Sequence, residues 1–284
     1  MKTVMITGAS SQIGDFLLPL LQKDSYQVVA ISRTQQSSHD VQWIKANISE
    51  PKTMSEAFIG ADVFIHIAPL ALLPPLLPAI KEKGIKRIIA FGTTSMFAKK
   101  QSHTLIEQKT VAELELAEKA IHDYCQQENI HWTIFRPTLI YGCGKDKNIS
   151  FVAKTMKKYH FFPIVGQASG LRQPVHTHDL AQACLQVINN PNTYDKAYNL
   201  SGHEILSYKD MLERVIDVQQ QTAWLVPIPL FLFRILVKVA HIMPAYRYLT
   251  PDMANRMNQD LCFDHQAASE DFDYKPRSFQ PPKV

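Results

Sequence analysis

Residues 8–14 read Gly-Ala-Ser-Ser-Gln-Ile-Gly, between an apolar run that ends at Thr7 and a leucine-rich segment that starts at Asp15. A turn of small residues ahead of a helix leaves backbone N–H groups pointing outward, and the helix N-terminus favours negative charge. The chemistry on offer is therefore the cradling of a phosphate pair. Gly8 suits the tight turn because it has no Cβ to clash, and Gly14 lets the helix approach closely. A third small position, 11, holds Ser where the pattern T-G-x-x-G-x-x-G would have Gly. Two readings of Ser11 stay open: its hydroxyl donates to a phosphate, or its side chain pushes the phosphate outward. Two further groups bear chemistry. Ser32-Arg33 closes a second apolar run, and Gly92-Thr93-Thr94-Ser95 places hydroxyls directly after a third.

The elements that must carry these groups alternate. Met1 to Thr7, Gln27 to Ser32, Gln42 to Ala46, Asp62 to Ile67, Lys86 to Phe91 and His131 to Phe135 read as short buried strands. Helices fit between them: Asp15 to Lys23, one begun by Pro51 with Ser49 as its N-cap, one crowded by Pro74, Pro75 and Pro78 and closed by Gly84, and a long one over 104–128. Alternation of this kind predicts an α/β fold, a Rossmann-like doubly wound parallel sheet, whose ligands bind at the C-terminal ends of the strands. Strand, turn and helix at residues 1–23 are then the entry of a dinucleotide-binding unit. At the end of the second strand an acidic residue would bind the ribose 2′-OH of NAD, and a basic one accommodates a 2′-phosphate. Arg33 stands there and no acid appears before Asp40, which favours NADP(H) over NAD(H). His66, inside an apolar strand, reads as a core histidine.

After Tyr141-Gly142 the alternation loosens. Residues 1–145 form the expected dinucleotide-binding domain, and 146–284 mostly a smaller C-terminal α+β substrate lobe with a polar, proline-rich tail from Ser269 that wraps the surface. We expect helices over 148–159, 177–189 (capped by Thr177 or Asp179) and 207–218. Strands fit 161–165, 171–175 and 196–200, and the segment around 171–200 returns to the first domain. Leu225 to Met243 is long and apolar, but Arg234, Lys238 and His241 recur at helical spacing. That pattern predicts an amphipathic helix packed into the lobe rather than a membrane span, with a membrane surface as the minority alternative.

Composition narrows the partners. The 284 residues carry 46% hydrophobic and 20% charged residues, and 30 basic against 26 acidic side chains leave a net charge of +4. That balance is too mild and too scattered for nucleic acid. Cys125, Cys143, Cys184 and Cys262 are far apart and match no metal spacing, so no metal site is expected. The first strand leaves no room for a signal peptide, and the expected location is cytoplasmic.

Taken together, TGASSQIG, FGTTSMF, RPTLIYG and LRQPVHTHDLA resemble the extended short-chain dehydrogenase/reductases, in the branch of nucleotide-sugar epimerases and dehydratases. The resemblance runs from residue 1 to about 215. It implies that Gly8, Ser10, Ser11, Gln12, Ile13 and Gly14 hold the pyrophosphate, Ser32 and Arg33 the 2′-phosphate end, and Asn47 and Ile48 the adenine. Ala68 and Pro69 would flank the ribose, and Pro137 and Thr138 the nicotinamide. Thr93 falls where the family keeps a catalytic Ser or Thr. Arg172 and Arg247 match the region that grips a substrate diphosphate, so the implied partner is a small molecule such as a nucleotide-sugar. The family's Tyr-x-x-x-Lys pair does not carry over: with Glu118 as the reference, its positions hold Thr110 and Leu114. Tyr141 to Lys145 has that spacing but lies after the sixth strand. Tyr141, His176, His178 and Asp179 are nominal proton donors. Two classes of function stay open: an atypical NAD(P)(H)-dependent enzyme, or an NADPH-binding sensor or scaffold.

Overall fold

The computed structural model describes residues 1–37, 40–50, 54, 57–100, 102, 104–146, 148–220, 222–240, 242 and 252–283. The expected helix start at Pro51 and the candidate Arg247 lie outside the described residues.

Six apolar runs of the N-terminal half become strands: β1 (Thr3–Thr7), β2 (Gln27–Ser32), β3 (Gln42–Lys45), β4 (Val63–His66), β5 (Arg87–Phe91) and β6 (His131–Pro137). Seven more follow, mostly short: β7 (Ile140–Tyr141), β8 (Phe161–Val165), β9 (Leu171–Arg172), β10 (Val175–His176), β11 (Lys196–Leu200), β12 (Leu206–Ser207) and β13 (Trp224–Ile228). The main sheet has the order β11-β6-β5-β4-β1-β2-β3. Every pair in it is parallel, so both faces need cover, and near-continuous Val/Ile runs are what such strands require. On one face the helices Gly14–Lys23 and Thr177–Val187 bury Leu17, Leu21, Leu180 and Cys184. On the other, Leu73, Ile80 and Ile121 pack against Phe64 and Ile88. This is the Rossmann-like doubly wound fold. Its strand order reverses direction between β1 and β4, and there the ligand crevice of an open parallel sheet opens.

The second core joins the helices Ile149–Tyr159 and Tyr208–Gln219 through Val152, Met156, Met211 and Val215, with Phe162 and Ile164 of β8 against them.

Four local expectations are corrected. Residues 171–175 do not form one strand: β9 pairs with β12 and β10 with β7, and the break falls at Gln173-Pro174, where proline offers no ladder donor. The 177–187 helix is capped by His176, whose Nδ1 accepts from the His178 N–H at 3.1 Å, rather than by Thr177 or Asp179. Residues 225–243 are not a single helix. Residues 224–228 form β13, parallel to β8, and the helix Leu230–Ala240 begins only after Pro229. The C-terminal segment does not merely skirt the surface. It folds as the helix Gln266–Phe272 and then buries Tyr274 and Phe279. Among the described residues no helix is long and apolar enough to cross a membrane.

Candidate functional site

The turn after β1 sits at the switch point. Gly8 has φ +73°, and a Cβ there would stand 2.7 Å from the Ala68 nitrogen. A Cβ on Gly14 would stand 1.9 Å from the Ala9 carbonyl oxygen. Both positions therefore require glycine, Gly14 because the helix entry folds back onto the turn itself. The turn's own hydrogen bonds use the N–H groups of Ser11 (to Gly8 O, 3.0 Å), Asp15 (to Ser11 O, 3.0 Å) and Gly14 (to Ser11 Oγ, 3.3 Å). None of these bonds uses the N–H groups of Gln12 and Ile13, at the threshold of the helix. Ser11 thus folds its oxygen back onto a backbone donor and keeps its O–H for another acceptor. The Gln12 Oε1 is buried without a hydrogen-bond partner. A glycine-lined turn, outward N–H groups at a helix N-terminus and an unpaired buried amide oxygen fit a bound dinucleotide.

The other cofactor candidates gather along the same strand ends. Ser32 is buried and Arg33 exposed where β2 ends. Asn47 accepts from the Ser49 N–H at 3.2 Å and donates to Glu50 at 2.8 Å, with Ile48 beside it against the sheet core. Ala68 and Pro69 follow β4. His66 braces this corner from beneath. Its Nε2 lies 3.1 Å from the Pro69 carbonyl, which can only accept, so Nε2 carries the proton and Nδ1 accepts from the Thr7 hydroxyl at 2.8 Å. Complete burial pushes its pKa down to about 4. Pro137 receives hydrogen bonds on its carbonyl from the Thr94 N–H and hydroxyl, both at 3.1 Å. The Thr138 N–H donates to Leu200 O at 3.0 Å and its hydroxyl to Gln173 O.

Thr93 opens the helix Ser95–Lys99. Its Oγ1 accepts from the Ser95 N–H at 3.1 Å and donates to Ser95 Oγ at 3.0 Å. It also lines a cavity of about 760 Å³ that Gln12, Thr94 and Thr138 share. From these strand ends the cavity runs into the second core, where its wall is mostly apolar: Phe151, Val152, Met211, Phe233, Leu236 and Val237. No motif pointed to these residues. They come from elements far apart in sequence, and only the fold brings them together.

Arg172 reaches the same wall. Its guanidinium donates to the carbonyls of Leu171 (2.7 Å), Gln259 (2.8 Å) and Arg256, and sits 5.1 Å from the centre of the Tyr208 ring. Those bonds tie the 256–259 segment to β9. Tyr141 and Lys145 do not face one another as an acid/base pair would. The Tyr141 hydroxyl accepts from the Gln280 N–H at 3.1 Å, and Lys145 pairs with Asp15 at 2.5 Å. Asp179 holds the Arg277 backbone N–H and Nε, and His178 contacts the same guanidinium, so this group pins the C-terminal segment. In the long helix Leu105–Glu128, the Thr110 hydroxyl donates to Ile106 O and Leu114 packs on the sheet core. Glu118 forms a two-pronged ion pair with Arg136.

Comparison with known proteins agrees with the turn. The profile of the NAD(P)H-binding family matches residues 8–191, and the chain belongs to that family. NADH dehydrogenase [ubiquinone] 1 alpha subcomplex subunit 9, mitochondrial, from Dictyostelium discoideum is 33% identical over 100 residues, 35% of this chain and 28% of that protein. UDP-glucose 4-epimerase from Vibrio cholerae is 20% identical over 206 residues, covering 69% of this chain and 60% of the epimerase. The chain thus spans less than two thirds of either relative. Among solved structures, UDP-glucuronic acid 4-epimerase from Bacillus cereus, in complex with UDP-glucuronic acid and NAD, superposes with a TM-score of 0.72 at 17% identity, over 98% of this chain and 95% of that one. The fold is shared with solved epimerases and dehydratases of this kind.

Proposed function

We propose that this chain binds NADP(H) and acts as an atypical oxidoreductase on a small molecule held in the 760 Å³ cavity beside Thr93. The observation that carries the reading is the continuity of one cavity from Gln12 of the glycine turn, past Thr93 and Thr138, into the second core. When bound, the nicotinamide supplies or accepts a hydride. The chain's part is to hold and orient. Gly8 to Gly14 would seat the pyrophosphate, Arg33 a 2′-phosphate, Asn47 and Ile48 the adenine, Ala68 and Pro69 the ribose, and Pro137 and Thr138 the nicotinamide side. The Thr93 hydroxyl, released from Ser95 Oγ, would turn toward a substrate oxygen.

With Thr110 and Leu114 at the positions of the Tyr-x-x-x-Lys pair, this chain would lack the lysine-lowered phenol that moves the proton in relatives. The proton would then fall to the hydroxyls of the cavity wall, Thr93 with Ser95 bonded to it, and turnover would be slow. Nucleotide-sugars remain the first class to screen. The apolar wall and the engagement of Arg172 with backbone carbonyls favour a less polar substrate. The second reading, an NADPH-binding sensor, is favoured by the same loss of the pair.

The test is to follow nicotinamide fluorescence of bound NADPH while adding UDP-sugars, then apolar aldehydes, ketones and quinones. Oxidation by any of them supports the enzyme reading. Tight NADPH binding with no oxidation by any of them supports the sensor.

A further inference from the structure

The helix Leu230–Ala240 is apolar on both faces. Its inner face, Phe233, Val237 and Ala240, walls the cavity. Its outer face holds Phe231 (66% exposed), Ile235 (51%) and Val239 (57%) in one i, i+4 stripe, which Ile242 extends just beyond the helix. Surface helices put polar residues on that side, and a helix apolar all round is normally enclosed or set in lipid. Beside it, the β8–β13 ribbon and the end of the helix that leads into it carry a second exposed group: Trp224, Phe161 and Tyr159, with the Trp224 N–H bonded to His160 O at 3.0 Å.

The stretches of chain that supply both features are basic. None of the chain's 26 acidic residues lies in 147–178 or 218–251, the stretches that supply these elements. Arg234 and Lys238 are exposed on the flank of the apolar stripe, and Lys157 and Lys158 close the helix that leads into β8. Asp252, the first acid after the second stretch, accepts from Ser102 and Thr104.

We propose that this face docks the protein on an anionic membrane surface. Resting on the oxidoreductase reading above, we further infer that the cavity behind the helix admits an apolar, bilayer-dissolved carbonyl substrate. Apolar side chains, interfacial aromatics and clustered cations are the combination that holds a helix in the headgroup layer. A second copy of this chain fits the face poorly, because a two-fold contact would bring Arg234 and Lys238 of each subunit together.

The experiment is cosedimentation of the full chain with phosphatidylcholine vesicles, with and without phosphatidylglycerol, plus quenching of Trp224 by brominated phospholipid. We expect binding only to the anionic vesicles and quenching of an exposed tryptophan. Phe231→Asp with Ile235→Asp, both away from the cavity wall, should abolish pelleting. Arg234→Gln with Lys238→Gln should weaken it about thirtyfold, at about 1 kcal/mol per surface cation. NADPH affinity, measured on each variant, should be unchanged. Three results would overturn docking: no pelleting of the parent protein, equal pelleting on neutral and anionic vesicles, or a parent dimer that the Phe231/Ile235 variant dissociates. Vesicle binding without NADPH binding would leave docking intact and refute the substrate inference with the oxidoreductase reading.

Discussion

Acid should weaken this protein through His66, directly beneath the glycine turn. The imidazole is fully buried, bonded to Thr7 on one side and the Pro69 carbonyl on the other, and its pKa falls from 6.5 to about 4. The unfolded chain therefore takes up a proton at a higher pH than the folded one. Stability that is present above pH 6.5 is lost as the pH drops toward 4. A shift of that size corresponds to about 3 kcal/mol in full, and to about 2 kcal/mol between pH 7 and pH 5. Burial also lowers the pKa of His176, His178 and His265, so the parent protein's total loss will be larger. The informative quantity is a difference. Urea unfolding at pH 7 and pH 5 should show that His66→Asn, whatever its stability at pH 7, loses about 2 kcal/mol less than the parent over that interval. An equal loss in both proteins would refute the assignment of a neutral, buried His66.

Other outcomes follow from the same geometry. Gly14→Val should abolish NADPH binding, because its Cβ would fall 1.9 Å from the Ala9 oxygen and force the turn open; unchanged affinity by fluorescence titration would remove the turn from the site. Thr93→Ala should keep cofactor affinity, cost about 1 kcal/mol in thermal unfolding through the lost hydrogen bonds to Ser95, and stop any turnover, while Thr93→Ser restores it. Survival of turnover in Thr93→Ala would make Thr93 structural. Arg256 holds both oxygens of Glu107, whose side chain is 5% exposed, at 2.8 and 3.0 Å. Arg256→Met should therefore cost about 2 kcal/mol, the loss of charge-assisted hydrogen bonds with Lys99 still 3.7 Å from the carboxylate, and adding Glu107→Gln should recover part of it in chemical denaturation.

Much of the nucleotide-binding half was legible from residue order. VMIT, VVAIS and RIIAF are apolar runs that only a strand covered on both faces can bury, and the glycines at 8 and 14 mark the turn between strand and helix. The C-terminal half was less legible, for physical reasons. Residues 224–233 are apolar throughout, so no change of period marks where β13 gives way to the helix, and only the prolines at 227 and 229 hint at a break. His176 was missed as a helix cap because a ring nitrogen seldom fills that role. The polar look of the last sixteen residues hid Phe272, Tyr274 and Phe279, which the fold buries. The cavity wall was invisible for a different reason: Phe151, Met211 and Phe233 are ordinary core residues until the fold brings them to one space. The resemblance implies an anion grip at Arg172, and sequence could not show the three carbonyls around it.

The central claim is that residues 8–14 and Arg33 hold a phosphorylated dinucleotide. The most direct measurement is a fluorescence titration of the purified chain with NADPH and with NADH, repeated on Arg33→Ala. The account predicts tight NADPH binding, weaker NADH binding, and an Arg33→Ala protein that loses NADPH affinity while holding NADH as before. Binding of neither nucleotide, or an equal loss of both in the variant, would contradict it.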